Sequence, residues 1–184
     1  LAFLFALYAA FPATSAVFTV TSVGDGTTGS TLRAAMLNAN LTPGRDTISF
    51  AISGTGPHTS GVLSQLPQLT DNAGVLIDGF SQLGSGPGVT PPSTLTLKII
   101  IDGTNAGAAH GFWILSQNNV IRGIVVQNFQ QDGIRIQATV AGTHGNLIDR
   151  NIIGVDVSGT SAQGNGKSMS APWGGVNILV NPMS

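Results

Sequence analysis

Apolar and polar residues alternate in short bursts along most of this chain. VFTVTS, from Val17, alternates as a short strand does, and DGTTGS follows as a turn. In STLRAAMLNAN the spacing changes. Leu32, Ala35, Met36 and Ala39 fall on one helical face behind the capping candidates Ser30 and Thr31, which predicts a short helix over about 30–40. From Asp46 onward the chain is a run of short apolar strands cut by Gly, Asn and Asp: DTISFAI, GVLIDGF, LKIIIDG, GFWIL, NNVIRGIVV, DGIRIQ, GNLIDRNIIGVD and GGVNILV.

The strands repeat. GFWI at Gly111 and GIRI at Gly133 stand 22 residues apart, and NVI at Asn119 and NLI at Asn146 stand 27 apart, which are single-coil offsets of a solenoid. GVNI at Gly175 follows Gly133 by 42, so the intervening coil carries an inserted loop over about 154–174. Such insertions gather on one face of a repeat protein, often the binding face. Alternation turns Phe112, Ile134 and Val176 inward together with Ile114, Ile136 and Ile178, and turns Trp113, Arg135 and Asn177 outward. The fold expected is an all-β, single-stranded right-handed parallel β-helix over 17–184, with the short helix capping its first rung against edge-to-edge association. An antiparallel sandwich would want hairpin dipeptides and turns every 8 to 12 residues, which the 22- and 27-residue offsets do not match.

Composition agrees with stacked strands. Gly numbers 25, all eight acids are Asp, and Glu is absent, so turn formers are abundant and helix formers scarce. Without Cys, no disulfide or thiolate metal site is open to the chain. Only 8% of residues are charged and the net charge is −1, so no electrostatic footprint for nucleic acid is present. The opening LAFLFALYAAFPATSA reads as the apolar core and cleavage region of a secretory signal over 1–16, too short to span a bilayer. It lacks the Met and basic residues that begin such a signal, and the other end stops just after a strand; both ends read as cut.

FTVTS, STLRAAMLNAN and PGRDTISFAI, followed by LPQLTDNAGVLIDGFSQLG, LKIIIDGTNAG and GNLIDRNIIGVDVSGTSAQGN, resemble in order the bacterial secreted proteins that open with a CSLREA-type domain and continue as parallel β-helix repeats of the pectin-lyase-like fold. The usual Glu of the helix is Ala34, and Gly154, Val155 and Asp156 stand where a GTD is usual. The resemblance implies export, a surface or extracellular location, and often further coils or an anchoring module downstream. The family pattern carries no established active site.

Two functions of different class are open. The first is a structural, adhesive or binding module that meets an extracellular polysaccharide or a surface protein, with Trp113 and Arg135 offering an aromatic plate and a cation on neighbouring coils. The second is a polysaccharide-active enzyme, since pectate lyases and polygalacturonases share the β-helix. A lyase needs carboxylates to hold Ca2+ and an Arg base, and an inverting hydrolase needs two carboxyls around the scissile bond. Asp132, Arg135, Asp149 and Arg150, with Arg122 and Asp156 nearby, are the densest supply. Structural use of these residues is the competing reading: Arg122 and Asp149 stand one 27-residue offset apart, as a stacked surface ion pair would. His58, His110 and His144 lack metal-site spacing and read as loop residues, so no cofactor is implied outside the lyase alternative. GSGPG at Gly84 reads as a turn, and NLT at Asn40 matches a glycosylation acceptor.

Overall fold

The computed structural model describes residues 14–88, 95–137, 143–168 and 174–179. Most of the signal-like stretch 1–16 and residues 169–173 of the expected loop lie outside the described residues.

Within them the chain is almost entirely short parallel strands. The strands are β1 (Val17–Val20), β2 (Asp46–Phe50), β3 (His58–Gly61), β4 (Val75–Asp78), β5 (Ile99–Asp102), β6 (Phe112–Ile114), β7 (Val120–Arg122), β8 (Ile124–Gln127), β9 (Ile134–Gln137), β10 (Leu147–Asp149), β11 (Ile152–Ile153) and β12 (Val176–Leu179). They form three sheets ordered β1-β2-β4-β7-β10, β3-β5-β8-β11 and β6-β9-β12, and every strand pair is parallel. Antiparallel pairing among the described residues is confined to two isolated bridges, Gly86 with Thr96 and Val155 with Ala162. From β4 onward the chain visits first, second and third sheet in turn, then returns to the first. A parallel bridge from Leu69 to Ile114 places Leu69 beside the third sheet in the preceding pass.

Register follows the repeat offsets. Phe112 pairs with Ile134 and Ile134 with Val176; Trp113, Arg135 and Asn177 form the next row, and Ile114, Ile136 and Ile178 the next. The inward rows fill one core that also holds Ile48, Phe50, Ile77, Ile101, Ile121 and Val126. Val176 and Ile178 keep the parity expected of them but are 46% and 65% exposed, β12 standing at the end of its sheet among the described residues.

The helix α1 (Leu32–Ala39) begins at Thr31, whose hydroxyl accepts the Ala34 N–H at 3.1 Å. Leu32, Ala35, Met36 and Ala39 join the same core as Val20 and Ile48, so the helix packs on the first two strands of the first sheet. Arg33 turns the other way. Its guanidinium grips the Asp25 carboxylate at 2.8 and 2.9 Å and the carbonyls of Ser64 and Gln65, tying three segments that no local pattern links.

Asparagine does more here than tolerate tight corners. Asn118 and Asn128 adopt positive φ, but Asn146, Asn151 and Asn165 use both ends of the side-chain amide on the preceding pass of the chain. Asn151 accepts from the Ile124 N–H and donates to the Ile121 carbonyl, and Asn165 does the same for Phe129 and Val126. Asn146 likewise accepts from Asn119 and donates to the Ser116 carbonyl. These amides pair the backbone groups that a corner between strands would otherwise leave open. The repeated Gly111 and Gly133 answer a different need: a Cβ at Gly111 would meet the Gly133 carbonyl, and one at Gly133 the Gly175 carbonyl.

Candidate functional site

The third sheet gathers the most chemistry. Its outward row is Trp113, Arg135 and Asn177, and one residue ahead of each repeated Gly stand His110, Asp132 and Gly174. Asp132 is fully buried. One oxygen accepts the Gly174 N–H at 2.8 Å, the Asn177 amide approaches both at 3.3 and 3.4 Å, and the Arg135 guanidinium lies 3.5 Å away. The buried charge therefore has several donors around it, as burial of a carboxylate demands.

His110 is also buried, with Nδ1 3.3 Å from the Asp132 carboxylate. That same Nδ1 lies 3.1 Å from the backbone N–H of Asp132, which donates to it. The electrostatics agree. Burial lowers the His110 pKa to about 4; the Asp132 charge opposes the shift and Arg135 adds to it. Gln65 fixes the ring's backbone from below, accepting the His110 N–H at 2.8 Å and donating to the His110 carbonyl at 3.2 Å. Because the Gln65 carbonyl is held by Arg33, α1 is linked through hydrogen bonds to this site.

Trp113 completes the arrangement. Its ring meets His110 edge-on with centroids 5.1 Å apart, and the Arg135 guanidinium lies 5.5 Å from its centroid. Gln65, Ala108, His110, Trp113, Gln131 and Arg135 line a cleft of about 390 Å³. Trp113 and Arg135, proposed from sequence as a ligand-binding pair, thus share one cleft.

The other two candidates sit elsewhere. Asp149 ends β10 in the first sheet and is bound by its neighbour Arg150 at 2.7 and 2.9 Å. Arg150 has φ 48 and lies 5.4 Å from the Phe80 ring centroid. So the structure brings Asp132 together with Arg135, and Asp149 with Arg150, on different sheets. Arg122 and Asp149 are register partners, but Arg122 spends its fork on Asp78 at 2.8 and 2.9 Å. That bond raises the Arg122 pKa, with the Asp149 charge only a minor contributor. Asp156 folds back on its own loop, accepting from the Ser161 and Thr160 N–H groups and the Ser158 hydroxyl, and these bonds hold its carboxyl below the ordinary range.

His58 lies near Gln82, and the His144 carbonyl accepts the Asn118 N–H; among the described residues no group of three or more metal-type side chains occurs. Asn40, the sequon residue, donates its amide to the Gln68 carbonyl at 2.7 Å and accepts the Thr70 N–H at 3.0 Å. Its nitrogen already has a structural partner.

Sequence reasoning treated His110 as a loop residue, and it does precede β6, but burial against Asp132 was missed. A signal was available. The offset of 22 that stacks Gly111 on Gly133 also stacks His110 on Asp132. The Asp25–Arg33 pair had no such signal, because it joins segments outside the repeat.

No family model, curated protein or solved structure matches the chain.

Proposed function

We propose that the chain is a right-handed parallel β-helix of the CSLREA-type secreted group, acting outside the cell or at its surface as a module that binds extracellular polysaccharide. The cyclic visiting of three parallel sheets supports the solenoid, each pass being one coil. The packing of α1 on β1 and β2 supports its role as the cap of the first coil. Among the described residues no helix is long and apolar enough to cross a membrane.

The observation that carries the binding role is the Trp113–Arg135 pair at the rim of the His110 cleft. An indole plate with a cation beside it suits the mixed apolar and hydroxyl faces of a sugar ring. Chemistry at the cleft has less support. Asp132 is enclosed by its own donors, burial lowers the His110 pKa, and Asp149 belongs to another sheet.

The test is affinity electrophoresis of the purified protein through a panel of neutral and acidic polysaccharides, with product assays run alongside. Retardation by at least one polysaccharide, weakened roughly tenfold or more by Trp113→Ala as for an aromatic anchor, is the expected result. Absence of retardation by every polysaccharide, or equal retardation of the variant, would overturn the binding role at this cleft. Divalent-dependent release of unsaturated products would make the protein a lyase instead.

A further inference from the structure

Away from the cleft, one buried acid has no role in the proposed function. Asp46 opens β2 and is fully buried. One carboxylate oxygen accepts the Ala16 N–H at 2.7 Å, holding the chain as it enters β1, and the other is buried without a hydrogen-bond partner among the described residues. No ion pair reaches it among the described residues. The charged groups on the surrounding elements are otherwise engaged or misplaced. Arg33 of α1 is taken by Asp25; Asp78 stands at the far end of β4, opposite Ser49, and is taken by Arg122; Arg45 is exposed; β1 carries no charge.

Asp71 makes the environment more negative. It sits in the turn leading into β4, accepts the Ala73 N–H with one oxygen, and leaves the other buried without a partner among the described residues. A buried carboxylate with one donor and a second carboxylate for a neighbour lowers its free energy by taking a proton.

We infer that the buried, half-satisfied carboxyl of Asp46 makes the fold at the junction of β1 and β2 more stable with the acid neutral than with it charged. Desolvation raises the Asp46 pKa, the Ala16 bond opposes it, and the Asp71 charge raises it further. A folded-state pKa above the unfolded one gives stability that is fully present below the unfolded value and lost as pH rises through the folded value. His110 titrates in the opposite sense, but its contribution cancels when two proteins differing only at position 46 are compared.

Thermal unfolding of the wild type and Asp46→Asn from pH 4 to pH 7 tests this. The substitution removes the charge at nearly constant shape and keeps an oxygen for the Ala16 N–H. The variant is expected to unfold roughly 2–4 °C higher at pH 7, the shift that a modest stabilisation gives a chain of this size, and the gap to close toward pH 4. In the wild type, the Asp46 carboxyl carbon should titrate above ordinary aspartates, and Asp71→Asn should bring it down. A variant less stable than wild type at pH 7, or an ordinary or low Asp46 midpoint, overturns the inference. So does a rise in wild-type unfolding temperature with calcium that Asp46→Asn abolishes, since the missing partner is then a cation.

Discussion

Two aspartate–arginine pairs that look alike in sequence behave differently in the fold. Asp132 and Arg135 have side chains 0% and 13% exposed, whereas those of Asp149 and Arg150 are 28% and 47% exposed. The first pair lies beside the β12 segment, where Gly174 and Asn177 add donors to the carboxylate. The second lies on β10, at the end of its sheet among the described residues, where the Asp149 carboxylate is bound by the neighbouring Arg150 side chain. Cover by a further strand, more than charge or spacing, converts an ion pair into part of the framework.

The largest expected effect is at Asp132. Asp132→Ala leaves Gly174, Asn177 and Arg135 without their acceptor and should destabilise by about 3–5 kcal/mol in denaturant unfolding, the range for breaking a buried, hydrogen-bonded ion pair. A loss under 1 kcal/mol would erase the contrast between the two pairs. Next is the acid sensitivity of the same cluster. The folded-state pKa of His110, about 4, lies below its unfolded value, so the unfolded chain binds the extra proton first. Its contribution is intact above the unfolded pKa near 6.5 and is lost as pH falls toward 4, by up to about 3 kcal/mol. The difference in stability between wild type and His110→Gln should therefore shrink or turn against the wild type as pH falls through that window, other groups cancelling in the comparison. The smallest effect is at Arg150: removing it by Arg150→Ala should cost less than about 1 kcal/mol, as exposed pairs do, and urea unfolding should barely register it. A larger cost would mean that its contact with Phe80 matters more than its salt bridge.

Much of the fold was legible in the chain. The offsets of 22, 27 and 42 reproduce the pairing of β6 with β9, β7 with β10 and β9 with β12, and the helix begins and ends within two residues of the expected span. These features repeat or are local, so one sequence displays them. The site was half legible. Trp113 and Arg135 were found because they share an outward row, while His110 was passed over because its spacing was searched for metal ligands and not for a stacking partner. Gln65 stands 45 residues before His110, the same offset as the parallel bridge from Leu69 to Ile114, but its segment carries no GxxI motif that would have marked that offset in the sequence.

By itself the sequence determined periodicity, strand parity and the position of the helix, because each depends on side-chain direction along a few consecutive residues. Only the tertiary structure decided which charges are buried, which asparagines serve the preceding strands, and which row lies beside a cleft. Those depend on what the neighbouring strands place over them. Val176 and Ile178 make the point at the end of their sheet among the described residues: their parity is inward, yet both are exposed, because burial is a property of the neighbouring strand as much as of the residue.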